Sequence, residues 1–498
     1  MKLFLASSLF LLTSTTAAAS FTNPTSNYNR CLTDRESSSL AEALDNGEST
    51  IDLFPSKSSS DQSSYWDIEY HNVYKLLRNK EVNTTYLLYQ CGLNEVPTID
   101  EPVDGTFPVP FEGGLVVTET TQVPNIEIMN RRHQIVAFAV SENLISSPCL
   151  SQEIIPAGKE DGSITFLPLY NDSALESYMK EYQGQYDTIL VFGGAWDENP
   201  RMENKIVISS VGESPMLAEE QGRDVNQAIF EWLEVYGALF NEERMASEVV
   251  EETKARYDCH TANAAAVAQE RRALAAAEGR EERTRPIVLW AYHMQDYNGD
   301  DIGWDVGECP NYYCTYAEHC QVELLNSTEG SVDYWGYAYM SDDEFLEFGK
   351  DADVWIYPSS NWNTLVSQKA DYLSQFKSVA NMEVYDYQMS GESAWFEQRL
   401  AEYDTVLLDF CETAERDIDP MHERKWFRNV YIEGVGNLGM CTDADASYES
   451  RATECVELTG EPSSTESSDL SGGSTIRSAS WSLLMFCVGY LYVTSIVC

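Results

Sequence analysis

Positive charge is scarce in this chain: 32 Lys and Arg face 81 Asp and Glu, a formal charge of -49 at pH 7. That balance opposes binding to nucleic acid or to anionic lipid, and it favours solubility where salt screens the charge strongly. Common catalytic signatures are missing as well. There is no HExxH pair and no phosphate-cradling loop, and Gly391-Glu392-Ser393-Ala394-Trp395 lacks the second Gly of a nucleophile elbow. Gly434-Val435-Gly436-Asn437-Leu438-Gly439 fits the letters of a dinucleotide fingerprint. The residues after it, Met440-Cys441-Thr442-Asp443-Ala444-Asp445, do not read as an amphipathic helix. These absences speak against an enzyme.

What is present at the two ends speaks of export. Lys2, an apolar run over 3–12 and Ala17-Ala18-Ala19-Ser20 give the order of a signal peptide, residues 1–19, with the mature chain starting near Ser20. At the other end a Ser, Gly and Glu-rich stalk, 456–478, leads into an almost wholly apolar stretch, 479–498. Small residues around Ser471-Gly472-Gly473, a short spacer and an apolar tail suit a lipid-anchor (GPI) signal, and a single membrane-spanning helix is the rival reading. Both readings place the rest of the chain on the outer side of the plasma membrane.

Of 12 cysteines, Cys487 and Cys498 lie in that tail and ten run from Cys31 to Cys455, an even number in an exported chain, so disulfides are expected. Cys309, Cys314, His319 and Cys320 do not have the spacing of common zinc modules and read as bridging residues. Sequons at Asn83, Asn171 and Asn326 fit the same compartment. His133, His260 and His422 have no partners nearby in sequence and read as ordinary histidines.

Residues 20–112 look irregular, with Ser-rich patches and a Pro-rich stretch, and are read as an extension of unassigned role. From 113 the character changes. Apolar, β-branched runs at 115–118, 135–140, 188–192 and 206–211 read as strands alternating with helices, which implies a mostly parallel sheet over 113–222. Between Pro215 and Pro286 proline is absent, and Ala, Glu, Arg and Gln abound. Val225, Ile229, Trp232, Tyr236 and Leu239 recur at helical spacing there, so 223–283 reads as a helical connector. Strand-like runs resume at 287–292, 333–337, 354–357, 382–385 and 405–410, with a helix over 363–376, giving a second lobe at 284–455. The fold class is α/β: two α/β lobes joined by a long helical connector, with an N-terminal extension and an anchored C-terminal stalk.

In parallel sheets ligands sit at the carboxyl ends of strands. Phe192-Gly193-Gly194-Ala195-Trp196 follows one strand, Trp290-Ala291-Tyr292-His293 ends another, and Ser359-Ser360-Asn361-Trp362 follows a third. Glycine lets backbone approach a ligand, and Trp and Tyr offer broad apolar faces with a polar tip. Packing of the lobe cores is the alternative role for these aromatics.

Three stretches carry a family resemblance. Gln134-Ile135-Val136-Ala137-Phe138-Ala139-Val140-Ser141-Glu142 looks like an opening strand and turn, and Tyr186-Asp187-Thr188-Ile189-Leu190-Val191-Phe192-Gly193-Gly194 looks like the strand leading to a cleft. Asp342-Asp343-Glu344-Phe345-Leu346 through Ala352-Asp353-Val354-Trp355-Ile356-Tyr357 looks like the helix and strand of a second lobe. The sequence resembles the helix-linked periplasmic substrate-binding proteins for cobalamin and siderophores, and more closely the algal cobalamin acquisition proteins. The resemblance covers roughly 113–439. It implies a non-catalytic protein that holds cobalamin between its lobes, with Ser141, Glu142, Gly193, Gly194, Trp196, Tyr292, His293, Ser359, Ser360, Asn361 and Trp362 as candidate ligand residues. It also implies a transporter or endocytic partner for uptake. A ferric-siderophore receptor and a structural or adhesive glycoprotein are the competing readings.

Overall fold

The structure, a computed structural model, describes residues 21–458 apart from 49, 169–170, 183–188, 194–203, 209–217, 219–221, 280–284, 296–300, 328–330, 333–337 and 416–417. The expected signal peptide, the apolar tail, most of the stalk and the 333–337 strand lie outside these residues. Among the described residues no helix is long and apolar enough to cross a membrane.

The N-terminal extension is ordered, contrary to the irregular stretch expected. Thr33 and Glu36 form a capping box that starts the helix Asp34–Asp45. Four strands follow: β1 (Trp66–Tyr70), β2 (Tyr74–Asn79), β3 (Thr84–Gln90) and β4 (Gly105–Val109), adjacent in that order. The pattern was hidden because β2 buries a charge. Lys75 is fully buried on Glu243 and also donates Nζ to Ala238 O and Asn241 Oδ1, each at 2.7 Å. The extension is joined to the first lobe by backbone partners too, with Asn79 Nδ2 donating to Val207 O at 3.1 Å and Val207 N donating to Tyr86 Oη at 3.1 Å.

The first lobe contains β5 (Gly114–Val117), β6 (Ile135–Phe138), β7 (Thr165–Phe166), β8 (Ile189–Gly193) and β9 (Lys205–Val207), ordered β7-β6-β5-β8-β9 and parallel throughout. Gly-Leu-Val-Val and Ile-Val-Ala-Phe are buried at every residue, as strands covered on both faces must be. The chain fills one side of β5, then crosses to the other, so the sheet's switch point lies between β5 and β8.

The connector differs in detail from the expectation. Val225, Ile229, Trp232, Tyr236 and Leu239 lie on two short, wholly buried helices, Val225–Phe230 and Leu233–Phe240, and in the segment between them. The long helix comes after them, Glu243–Ala277, 35 residues and roughly 50 Å at 1.5 Å per residue. Its buried positions Ala246, Val250, Thr253, Tyr257, His260 and Ala264 step by three and four. Arg256 on it pairs with buried Asp404 at 2.6 Å.

The second lobe is built on β10 (Ile287–Gln295), β11 (Asp301–Val306), β12 (Glu323–Leu325), β13 (Ser331–Val332), β14 (Ala338–Tyr339), β15 (Val354–Ile356), β16 (Val384–Asp386) and β17 (Arg428–Asn429). The main sheet runs β11-β10-β15-β16-β17, and β12 pairs in parallel with the first half of β10. Its switch point is therefore between β10 and β15. The run 405–410 is helical, inside Tyr403–Glu415, and not a strand. A helix buried on several sides reads as a short apolar run, which periodicity alone cannot separate from a strand. The expected helix over 363–376 is found as Trp362–Leu373.

After β17 the chain crosses back as a strap. Cys441 is disulfide-bonded to Cys149 of the first lobe and Cys455 to Cys259 of the long helix. Gln152 Nε2 donates to Gly439 O at 3.0 Å along the way. Gly434 to Gly439 begins no helix. Cys31–Cys91, Cys309–Cys314 and Cys320–Cys411 complete five disulfides, so Cys309, Cys314 and Cys320 bridge as expected.

Candidate functional site

Each lobe offers the carboxyl ends of its parallel strands at a switch point. In the first lobe buried Gln122 braces this end: its Oε1 accepts from Thr118 N at 3.1 Å, and Thr118 Oγ1 donates to Phe192 O at 2.6 Å. Gly193 closes β8 there, its carbonyl accepting from Ile208 N at 2.9 Å. Ser141, half-buried, follows β6 and precedes the turn Glu142–Leu144. Glu142 is exposed and paired with Lys159 at 2.7 Å. Gly194 and Trp196 lie outside the described residues.

In the second lobe the long β10 projects past its parallel partner β15 and pairs onward with β11. Tyr292 on that projection sits directly opposite Asp305 across the β10–β11 pair. Burial, and then the Asp305 charge, push the Tyr292 phenol well up, while burial raises the Asp305 carboxyl against the Tyr292 phenol that lowers it. Tyr339 and Tyr387 stand near enough to act on the same phenol. Burial holds the Tyr387 phenol at about 12, and its ring stacks on Trp395 with centroids 5.7 Å apart. The result is a set of three phenols and one carboxyl at the carboxyl end of the sheet.

The other candidates serve mainly to hold this end in shape. His293 is buried, with Nε2 2.8 Å from Asp301 Oδ1 and its ring edge-on to Trp304. Burial lowers its pKa and Asp301 opposes the shift. Asn361 Oδ1 accepts from Tyr357 Oη at 2.6 Å and Ser359 Oγ at 3.0 Å, which fixes the turn after β15, and Ser360 is exposed on it. Trp362 is only 2 % exposed and packs edge-on against Trp355 and Tyr357, so it belongs to the core of its lobe. As the first residue of its helix it folds back over β15, a direction that the sequence alone does not give.

Sequence reasoning missed the seam between the lobes. Ser393 Oγ donates to Asn143 O at 3.2 Å, and Glu397 accepts from the amides of Ser146 and Ser147 at 2.6 and 2.8 Å. Ser147 Oγ donates to Glu127 at 2.7 Å, and Gln398 Nε2 to Glu397 at 2.6 Å. Arg132 Nε lies 3.3 Å from Glu127, close enough for charge attraction but without hydrogen-bond geometry. Burial pushes the Glu397 carboxyl up to about 7, helped by the Glu127 charge. The seam joins residues 251 apart in sequence, so no local motif announces it.

Two pockets are found among the described residues. One, about 660 Å³, is lined by Met382, Glu383, Glu412, His422, Arg424 and Glu433 among others, and one of about 390 Å³ by Gly158, Ile164 and Ala444 among others. Neither contains a candidate ligand residue. Among the described residues no group of three His, Cys, Asp or Glu side chains is arranged to hold a metal ion. The sequon residues Asn83, Asn171 and Asn326 are all exposed.

No family model and no curated protein matches the chain. Solved structures with a similar arrangement include a periplasmic heme binding protein from Pseudomonas aeruginosa, 10 % identical, spanning 63 % of this chain and 96 % of that one at a TM-score of 0.40. A TroA-like periplasmic binding protein from Veillonella parvula is 11 % identical over 67 % and 96 %, at 0.41. A protein of an ABC-type Fe3+-hydroxamate transport system from Saccharomonospora viridis is 15 % identical over 61 % and 93 %, at 0.38. The two-lobed reading rests on the sheets, switch points and long helix of this chain itself.

Proposed function

We propose that this chain is a cell-surface, non-enzymatic binding protein that captures cobalamin in the gap between its two lobes for delivery to a transporter or endocytic partner. The observation that carries the reading is the pair of switch points, one per lobe. Gly193 stands at the first, with Ser141 after the neighbouring β6, and Tyr292, Ser359 and Asn361 stand at the second. Cobalamin has broad apolar faces and a rim of amides. Tyrosine and glycine suit the faces, and serine, asparagine and main-chain groups suit the amides. The long helix, the Glu397 seam and the Cys149–Cys441 strap hold the lobes in register. A preorganised gap pays less ordering entropy on binding, so the reading includes tight capture with little lobe movement.

A second reading is favoured by one specific feature, the phenol and carboxyl oxygens of Tyr292, Tyr387 and Asp305, which suit a ferric-siderophore complex. Titrating the purified ectodomain, Ser20 to Ser468, with cobalamin and in parallel with ferric chelates separates the two. Saturable one-site binding of cobalamin supports the first reading. Binding of the chelates alone would replace it with the second.

A further inference from the structure

The seam buries two carboxylates from opposite lobes, Glu127 at 3 % and Glu397 at 0 % exposure, and gives them one cation, Arg132, itself 4 % exposed. Arg132 stands on the Glu127 side. With both carboxylates ionised the cluster keeps one negative charge that no cation among the described residues balances, buried away from water. Nearby charges do not cancel it. Glu402 is paired with Arg451 at 2.6 Å and bonded by Tyr448, while Arg399 lies over the rings of Tyr312 and Trp395. The remaining partners, the two serine amides, Ser147 Oγ and Gln398, are neutral.

We infer that the Glu127–Glu397 pair makes the contact between the lobes proton-dependent, so that the seam tightens when one proton is taken up and loosens when it is lost. Burial raises the Glu127 carboxyl too, against the Ser147 hydrogen bond and the Arg132 charge that lower it, so the proton titrates the pair and is written on Glu397 because Arg132 stands on the Glu127 side. The direction follows from linkage. Glu397 in the closed seam has its pKa raised to about 7, above the ordinary carboxylate range it regains when the seam opens to water. The closed seam therefore binds the proton more tightly than the open one. Its stability grows as pH falls through about 7, and stops growing once the open seam is protonated too. Taken with the capture reading, on which this consequence rests, acidification grips the rim of the ligand gap and alkaline conditions ease it.

Hydrogen exchange of the Ser146 and Ser147 amides reads the seam directly and needs no ligand, so its outcome is independent of whether cobalamin binds. In the ectodomain, protection corrected for the intrinsic rate should rise about tenfold between about pH 8 and about pH 5.5. Glu397→Gln removes the titrating group and should flatten that rise. Glu127→Gln removes the like charge and should shift the rise to lower pH. Wild-type protection that does not change with pH, or an unaltered slope in Glu397→Gln, overturns the inference. Should Glu397→Gln fail to fold, an unmoved midpoint in Glu127→Gln overturns it equally.

Discussion

Replacing Trp362 by Ala distinguishes a core tryptophan from a ligand-facing one. The side chain is 2 % exposed and touches Trp355, Tyr357 and Tyr431. Truncating a buried tryptophan costs about 3–5 kcal/mol of stability. Over a cooperative unit of about 440 residues at about 2.1 cal/mol/K per residue, each kcal/mol moves the midpoint by about 1 °C, so a drop of about 3–5 °C is expected. If the second lobe melts separately the shift is larger, because the same free energy is spread over fewer residues. Chemical denaturation gives the free energy itself and should be run alongside. Cobalamin affinity of the folded variant should stay within about a factor of two, whereas loss of a tryptophan covering a corrin face would weaken it about ten- to a hundredfold. Wild-type unfolding with weakened affinity would refute the core assignment and return Trp362 to the site.

Other outcomes are expected from the same structure. Lys75→Met leaves Glu243 buried without its cation and should cost about 3–5 kcal/mol, read by denaturant unfolding, while adding Glu243→Leu to it should recover most of the loss. Thiol counting under denaturing, non-reducing conditions should find essentially no free thiol among the ten ectodomain cysteines, and four or more would contradict the five bridges. Because Asn83, Asn171 and Asn326 are exposed, deglycosylation should shift the secreted protein on a gel, and each Asn→Gln change should remove part of that shift.

The first-lobe strands were legible because sheets covered on both faces leave unbroken apolar runs, as in Ile135-Val136-Ala137-Phe138. The same cue failed at 405–410, where Val406, Leu407 and Leu408 are buried on a helix. The extension was obscured by Lys75, a charged residue in the middle of β2 that is buried beside a carboxylate far along the chain. For the site, chain order put Gly193 at the end of β8 and Ser359 just beyond β15, while β10 runs on past Tyr292 to Gln295, three residues further than its apolar run suggests. Sequence did not tell which aromatics turn inward. Nor could it give Asp305 and Tyr387, which join Tyr292 only through the pairing of β10 with β11 and the neighbourhood of β16.

The central claim is that one ligand is held by both lobes at once, and hydrogen exchange with and without cobalamin tests it most directly. The account predicts added protection in two separate stretches, 139–147 of the first lobe and 291–295 with 357–361 of the second. Protection in one lobe only, or around the Glu383, Glu412 and Glu433 pocket in its place, would contradict it.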